Sequence, residues 1–392
     1  MSMQLAEFQR RAVGKLMMAM ESDKREIVLK SCTGSGKTII LTYFMDEYRR
    51  GNPGLVFIWL TPGKGDLEEQ SKEKMDRYIR NSRSKLLGDV LSDGFLEGDA
   101  CFINWEKLTK RGNNALKDGE QLNFMEQVDR ALKEGLRFVV VVDESHQNDT
   151  VKAQDILKLF HAEKIIRCSA TPREYNDAWL IEIPERDVIA DGLIKKVLAI
   201  NQDFAQDIST DSQVDYLLGH ALDRQRALAN EFKRRNVAVN PLIIVQLPNR
   251  SEILQDQVER WFAAQNICYE NGLLAIWLSE RKQNLEGIEK NSAPSVAVLI
   301  KQAVATGWDC PRAHILVKLR DNMGEVFEIQ TIGRIRRMPE ARHYESDLLD
   351  SCYLYTFDEK FEKGVKFHLD KGALDAATLT LRPEFQKMTL PC

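Results

Sequence analysis

The chain has 392 residues, 43% hydrophobic and 29% charged, with 55 Lys and Arg against 59 Asp and Glu and a formal net charge of −4. That is chain enough for one large or two medium cores, and it favours two domains. The mild acidity excludes a wholesale polyanion binder, so a nucleic-acid surface has to be a local basic groove. The seven Cys (Cys32, Cys101, Cys168, Cys268, Cys310, Cys352, Cys392) are scattered with no CxxC spacing. This argues against a disulfide framework or zinc ribbon and for a reducing compartment. No charged-then-apolar leader opens the chain, and the apolar run FVVVV at 138–142 is far shorter than the roughly 20 residues of a membrane span. A soluble, cytoplasmic protein without membrane contact is expected.

In chain order, EIVLK (26–30), LVFIWL (55–60), CFIN (101–104), RFVVVVD (137–143) and KIIRCSA (164–170) read as buried strands. Amphipathic segments such as 37–50 and 120–135 lie between them and read as helices. Uninterrupted apolar strands mean that both sheet faces are covered, the mark of parallel α/β packing. The pattern then repeats with PLIIVQL (241–247), LLAIWL (273–278), SVAVLI (295–300), HILVKL (314–319) and CYLYTF (352–357). PERDVIADGLIKK (184–196) separates the two sets. The expected organisation is a first lobe at 1–185, a linker at 186–194 and a second lobe at 195–392.

SCTGSGKT (31–38) follows a strand and opens a helix, the context that a phosphate loop requires. Thr33, Gly34, Ser35 and Gly36 form the loop. The glycines let backbone N–H groups turn inward around phosphate oxygens, and the helix N-terminus adds a positive dipole. Lys37 is placed to reach the β- and γ-phosphates and Thr38 to put its hydroxyl on Mg²⁺. Ser31 stands where the strict pattern has Gly; for the octapeptide alone, a glycine turn capping a helix is the competing reading. VVVVDESH (139–146) delivers two acids to the end of a buried strand, the edge where the loop also sits. Asp143 is the candidate Mg²⁺ holder and Glu144 the candidate orienter and base for the attacking water. Loop and acidic pair together point to a nucleotide hydrolase using ATP and Mg²⁺. Further on, Gln330, Arg334 and Arg337 are spaced i, i+4, i+7 and are expected on one helix face. Facing a triphosphate, the two arginines would neutralise charge developing on the γ-phosphate.

TGSGKT, DESH and SAT (169–171), followed by TGWD (306–309) and QTIGRIRR (330–337), resemble in kind and order the motor of superfamily 2 helicases. LTPGKGDLEEQ (60–70) sits at the place of motif Ia, TGWD resembles motif V and QTIGRIRR motif VI. INWEKL, VIADGLIKK, NPLIIVQLPN and TGWDCPRAHILVKLRD resemble more specifically the Res subunit of type III restriction–modification enzymes. The resemblance implies an α/β fold of two tandem RecA-like lobes. Each is a mostly parallel sheet flanked by helices, with the ATP site in the cleft between them. It assigns Gln9 to the adenine, and Gly307, Asp309 and Gln330 to the nucleotide. Ser169 and Thr171 would link nucleotide state to lobe geometry; a Ser/Thr turn before Pro172 is an equal alternative. Trp308 reads as packing. His146 could bridge the lobes through hydrogen bonds, and it lacks the partners of a metal ligand.

A motor needs a track, and the resemblance implies a nucleic-acid strand running over both lobes. Candidates are Thr61, Lys64, Asn104 and Trp105 in the first lobe, and Asn249, Arg250 and Thr306 in the second. For Lys64 and Arg250 the competing reading is solvated surface charge, and for Trp105 it is core. No nuclease core or methyltransferase segment is evident in the sequence, so the chain resembles the motor alone: an isolated motor, a fragment, or one subunit of a defence complex whose partner, a nuclease or a methyltransferase and recognition subunit, carries that activity. The expected function is an ATP-dependent DNA translocase or helicase in restriction, phage defence or DNA processing. No long insertion separates motifs V and VI, which favours movement on duplex over strand separation. A nucleotide-gated switch that recruits a nuclease, and an RNA helicase, are the alternatives.

Overall fold

The computed structural model describes residues 4–62, 67–109, 118–145, 151–173, 175–204, 212–249, 252–301, 308–319, 331–358, 360 and 362. The chain divides into two compact units, Met1–Asp187 and Val188–Cys392.

The first unit holds a seven-stranded sheet. Its strands are β1 (Glu26–Lys30), β2 (Leu55–Thr61), β3 (Ser84–Leu86), β4 (Ala100–Asn104), β5 (Arg137–Val142), β6 (Lys164–Ser169) and β7 (Trp179–Glu182). They lie in the order β3-β4-β2-β5-β6-β1-β7, and every pairing is parallel. The central strands β2 and β4 are buried along their whole length, because helices cover both faces. The valines of β5 show how this works. Val140 and Val142 enter a cluster with Phe95, Phe124, Phe138 and Phe160, while Val139 and Val141, equally buried, point to the opposite face.

The second unit repeats the plan with β8 (Val197–Ile200), β9 (Leu242–Gln246), β10 (Leu274–Trp277), β11 (Lys282–Gln283), β12 (Ala297–Ile300), β13 (Ala313–Lys318) and β14 (Ser351–Tyr355). The order is β11-β10-β12-β9-β13-β14-β8; only the two-residue β11 pairs antiparallel. Alternate residues of β9 again go to opposite faces: Ile243 and Val245 join the cluster around Phe232 and Phe262, and Leu242 and Ile244 join that around Ile332 and Ile335.

The apolar runs expected as strands all form strands, within a residue or two at each end. Four strands were not expected: β3, β7, β8 and β11. All four are short, and β3, β7, β8 and β11 stand at the sheet edges. β3 (SKL) and β11 (KQ) are of mixed polarity and give no apolar run to detect, while the apolar stretches of β7 (WLIE) and β8 (VLAI) are too short to stand out as strands. The expected linker is also not a free tether. The boundary between units falls within a helix, Glu185–Ala190, and Val188, Ile194 and Lys195 are fully buried.

Candidate nucleotide site

Three segments meet at the C-terminal edge of the first sheet. β1 runs into Ser31–Gly36, which opens the 15-residue helix α2 (Lys37–Gly51). Gly34 and Gly36 have φ of 93° and 79°, values that L side chains rarely adopt. Gly36 is the N-cap of α2, and no side chain caps this helix. Its first-turn N–H groups therefore point into the loop without a side-chain acceptor, as an anion site requires. Lys37 folds back over the loop, its Nζ donating to Ser31 O at 3.2 Å and Cys32 O at 3.3 Å. Ser35 is fully buried and donates its hydroxyl to Cys32 O at 2.9 Å. Ser31, the departure from the strict pattern, is 2% exposed and its Oγ donates to Ser35 Oγ. The hydroxyl thus adds a cross-loop bond that Gly could not make.

Gln9 lies on helix α1 (Glu7–Met20) and is buried. Both ends of its amide are engaged inside the unit: Nε2 donates to Ser35 O at 3.1 Å, and Oε1 accepts from Ala6 N at 3.0 Å. A Cβ on Gly36 would stand 2.6 Å from Gln9 Nε2. Gln9 is therefore a direct brace of the phosphate loop.

β5 lies two strands from β1, with β6 between them. It ends at Val142, so Asp143 and Glu144 emerge beside the loop. Asp143 N is tied to Leu60 O at 3.0 Å, and Asp143 Oδ1 accepts from Glu144 N at 3.0 Å. Glu144 has φ 45°, a left-handed conformation that is costly for a residue of its size and typical of functional turns. Burial, with Glu144 next to it, pushes the Asp143 carboxyl up to about 6, while the nearby Lys37 ammonium acts to lower it. β6 ends at Ser169, whose carbonyl accepts from Ser31 N at 3.1 Å and whose Oγ accepts from Thr171 N at 3.0 Å. This is the Ser/Thr turn before Pro172, and it also joins SAT to the phosphate loop.

These groups fit a nucleotide with a divalent cation. The loop supplies a cradle that side chains would fill, and Asp143 is a carboxylate held above its ordinary range, which a cation beside it would relieve. Thr38 and Asp143 would be the residues to hold such a metal. Among the described residues no cluster of three or more His, Cys, Asp or Glu is placed to bind a metal, so the remaining ligands would be phosphate oxygens and water, as is usual for Mg²⁺.

In the second unit, residues 331–335 are helical, Arg336 is in a turn, and Arg337 forms an isolated antiparallel bridge with Ile194. This corrects the expectation of a shared helix face for the two arginines. The helix ends after Ile335, so Arg337 is aimed by the bridge and by its ion pair with Asp309. Arg334 is 5% exposed. Trp308 packs edge-on against Trp277, ring centroids 5.6 Å apart, as expected of a packing residue.

Of the track candidates, Thr61 ends β2 fully buried, and its Oγ1 has no hydrogen-bond partner among the described residues. Asn104 Oδ1 accepts from Glu106 N at 2.9 Å, capping the short helix Trp105–Thr109. Trp105 is 4% exposed within the first unit's core, which is the competing reading given above. Asn249 is exposed. Lys64, His146, Arg250, Thr306, Gly307 and Gln330 lie outside the described residues. Sequence reading passed over Lys195, which lies in the same unit as Arg334 and holds the carbonyls beside it. A lysine next to another lysine, just past an expected linker, carries no sequence signal of burial. The described cysteines, Cys32, Cys101, Cys168, Cys268, Cys310 and Cys352, are free thiols. No helix among the described residues is long and apolar enough to cross a membrane.

Residues 2–174, under half of the chain, match the family described as type III restriction enzyme, res subunit. No curated protein sequence matches the chain. Among solved structures, the ATP-dependent type ISP restriction-modification enzyme LlaBIII bound to DNA is similar with a TM-score of 0.60 and 13% identity, over 91% of this chain and 28% of that one. The chain thus spans well under a third of that enzyme's length. S. cerevisiae Dbp5 bound to RNA and ADP BeF3 is similar with a TM-score of 0.55 and 13% identity, over 95% of this chain and 89% of that one. A fragment described as an HsdR subunit of a type I restriction enzyme from Vibrio vulnificus YJ016 gives 0.51 and 15%, over 89% and 63%. At such identities the structures speak for the fold. With the sheet orders described above, they show two tandem RecA-like α/β units, and the first of these is similar in sequence to the res subunit of type III restriction enzymes.

Proposed function

We propose that the protein is an ATP-dependent DNA motor that hydrolyses ATP to move along or remodel duplex DNA, and that it serves restriction, phage defence or DNA processing with a nuclease or a methyltransferase and recognition subunit as partner. One observation carries the hydrolase part: the phosphate loop, Asp143–Glu144 and Ser169–Thr171 converge at the ends of strands β1, β5 and β6. The Res match of the same unit supports DNA as the track.

The chemistry assigned to this chain is positional and electrostatic. Mg²⁺ would neutralise phosphate charge when bound with ATP. The loop N–H groups and Lys37 hold the β- and γ-phosphates. Thr38 and Asp143 orient the metal. Glu144 orients the attacking water and takes its proton. Arg334 and Arg337 stabilise charge on the transferred phosphoryl group, an effect typically worth about 10³–10⁵ in rate. For Arg337 this means exchanging Asp309 for phosphate oxygens.

The similarity to Dbp5, of which the chain covers 89%, supports a second reading, in which the track is RNA. Steady-state ATP hydrolysis with no polymer, duplex DNA, single-stranded DNA or RNA, at low and moderate salt, separates the two. Stimulation by duplex DNA that weakens as salt rises is expected, because backbone binding releases counterions. Stimulation by RNA alone would move the track to RNA. Slow turnover indifferent to every polymer would replace the motor with a partner-gated switch.

A further inference from the structure

Lys195 is fully buried, yet its hydrogen bonds all go to main-chain carbonyls. Its Nζ donates to Ile335 O at 2.6 Å, Arg337 O at 2.5 Å and Ala313 O at 3.3 Å. Its own N–H donates to Arg336 O at 2.6 Å. One residue therefore takes the carbonyls of 335, 336 and 337, just where the arginine helix ends. A helix leaves its last carbonyls without intrahelical partners, and a cation there also favours the helix dipole. The bond to Ala313 O ties the same point to the first residue of β13.

Neighbouring residues extend this stitch. Met338 N donates to Leu193 O at 3.0 Å, Ile194 bridges Arg337, and His343 Nε2 lies 2.9 Å from Ile194 O. Gly192, at φ +72°, comes so close that a Cβ would stand 2.9 Å from Arg342 Cα. Burial pushes the Lys195 ammonium down to about 7, with Arg336 adding to this and Asp350, Cys310 and Cys352 opposing it. Burying an ammonium without a hydrogen-bonded carboxylate is costly. A neutral side chain of the same length would fill this space without that cost, so the donor set itself is what the site uses.

We infer that Lys195 is a positioning residue for ATP hydrolysis: by holding the carbonyls of Ile335, Arg336 and Arg337, it sets the direction from which Arg334 and Arg337 act. The inference rests on the role proposed above for these arginines. A displacement of about 1 Å at a catalytic group can cost about 10²-fold in rate. The loss of Lys195 is thus transmitted to chemistry without contact with the nucleotide.

The test is a double-mutant cycle on the full chain. Lys195→Met keeps the aliphatic length and removes the donors. Expected are a kcat lowered about 10- to 100-fold, a KM for ATP changed by less than about twofold, and less than about twofold further loss when Lys195→Met is added to Arg337→Ala. Lys195→Gln, which retains an N–H donor, should recover part of kcat. An unchanged kcat in folded Lys195→Met, or the same factor in both backgrounds, overturns the inference and leaves a staple of the fold. Failure of both the Met and the Gln variants to fold has the same meaning. The single variants Arg334→Ala and Arg337→Ala form a separate arm: full activity in both would overturn the arginine role, and only through it the part given to Lys195.

Discussion

In the first unit the candidate functional groups stand at the ends of buried parallel strands: Ser31 after β1, Asp143 after β5, Ser169 ending β6. In the second unit the arginines stand off the sheet, Arg334 on a short helix and Arg337 just past its end, where residues 193–195, about 140 residues earlier in the chain, hold the backbone. A strand end is fixed by its neighbours in the sheet, and no further device is needed to aim it. A helix end is not, and here a distant segment supplies the hold. Each unit also buries a charge beside its functional segment, of opposite sign. The carboxyl of Asp143 is pushed up to about 6 and the ammonium of Lys195 down to about 7. The first would be relieved by a cation from outside the chain; the second is answered by carbonyls from within it.

This contrast can be broken most directly at the two cations assigned to phosphate. Lys37→Ala should remove hydrolysis, by about 10³-fold or more, and should weaken nucleotide binding, read by phosphate release and by titration of a fluorescent ATP analogue. Arg334→Ala should lower kcat by about 10³-fold while leaving analogue affinity within a few-fold. Equal loss of affinity in both variants would erase the division between a binding unit and a unit that acts on the transition state.

Two glycines at positive φ sharpen the comparison at the level of stability. At Gly192 an added Cβ meets backbone, while at Gly36 it meets only the end of the Gln9 side chain. Gly192→Ala should therefore cost about 1–3 kcal/mol, and Gly36→Ala less, in denaturant titrations; the reverse order would mean that the stitch at Gly192 yields more easily than the phosphate loop. The smallest effect is expected at Gln9. Losing its bond to Ser35 O should cost about 1 kcal/mol. Gln9→Ala should then raise the KM for ATP about fivefold with little change in kcat, and an unaltered KM would show that the loop holds its shape without this brace.

Much of this fold is legible along the chain, for a physical reason that also limits the legibility. Strands covered on both faces, such as LVFIWL and FVVVV, must be continuously apolar, so they announce themselves; edge strands such as SKL and KQ need not be, and they do not. The phosphate loop and the acidic pair are local in sequence, and glycines and acids placed after apolar strands have few other uses. The tie of Gln9 to Ser35, by contrast, joins residues 26 apart, and the value of Ser31 lies in a bond across the loop that no spacing rule predicts. The arginine spacing was read as one helix face; the helix stops early because its exit is drawn into a bridge with Ile194.

The sequence by itself determined the two α/β units, the order of their central strands along the chain, and the glycine loop and acidic pair proposed here to meet a triphosphate, because burial on two sheet faces and phosphate binding each impose a short-range pattern. Tertiary structure alone decided where the arginines point and what Lys195 does. Those depend on hydrogen bonds between segments far apart in the chain, and a carbonyl that accepts such a bond belongs to any residue, so it leaves no mark on the side-chain sequence.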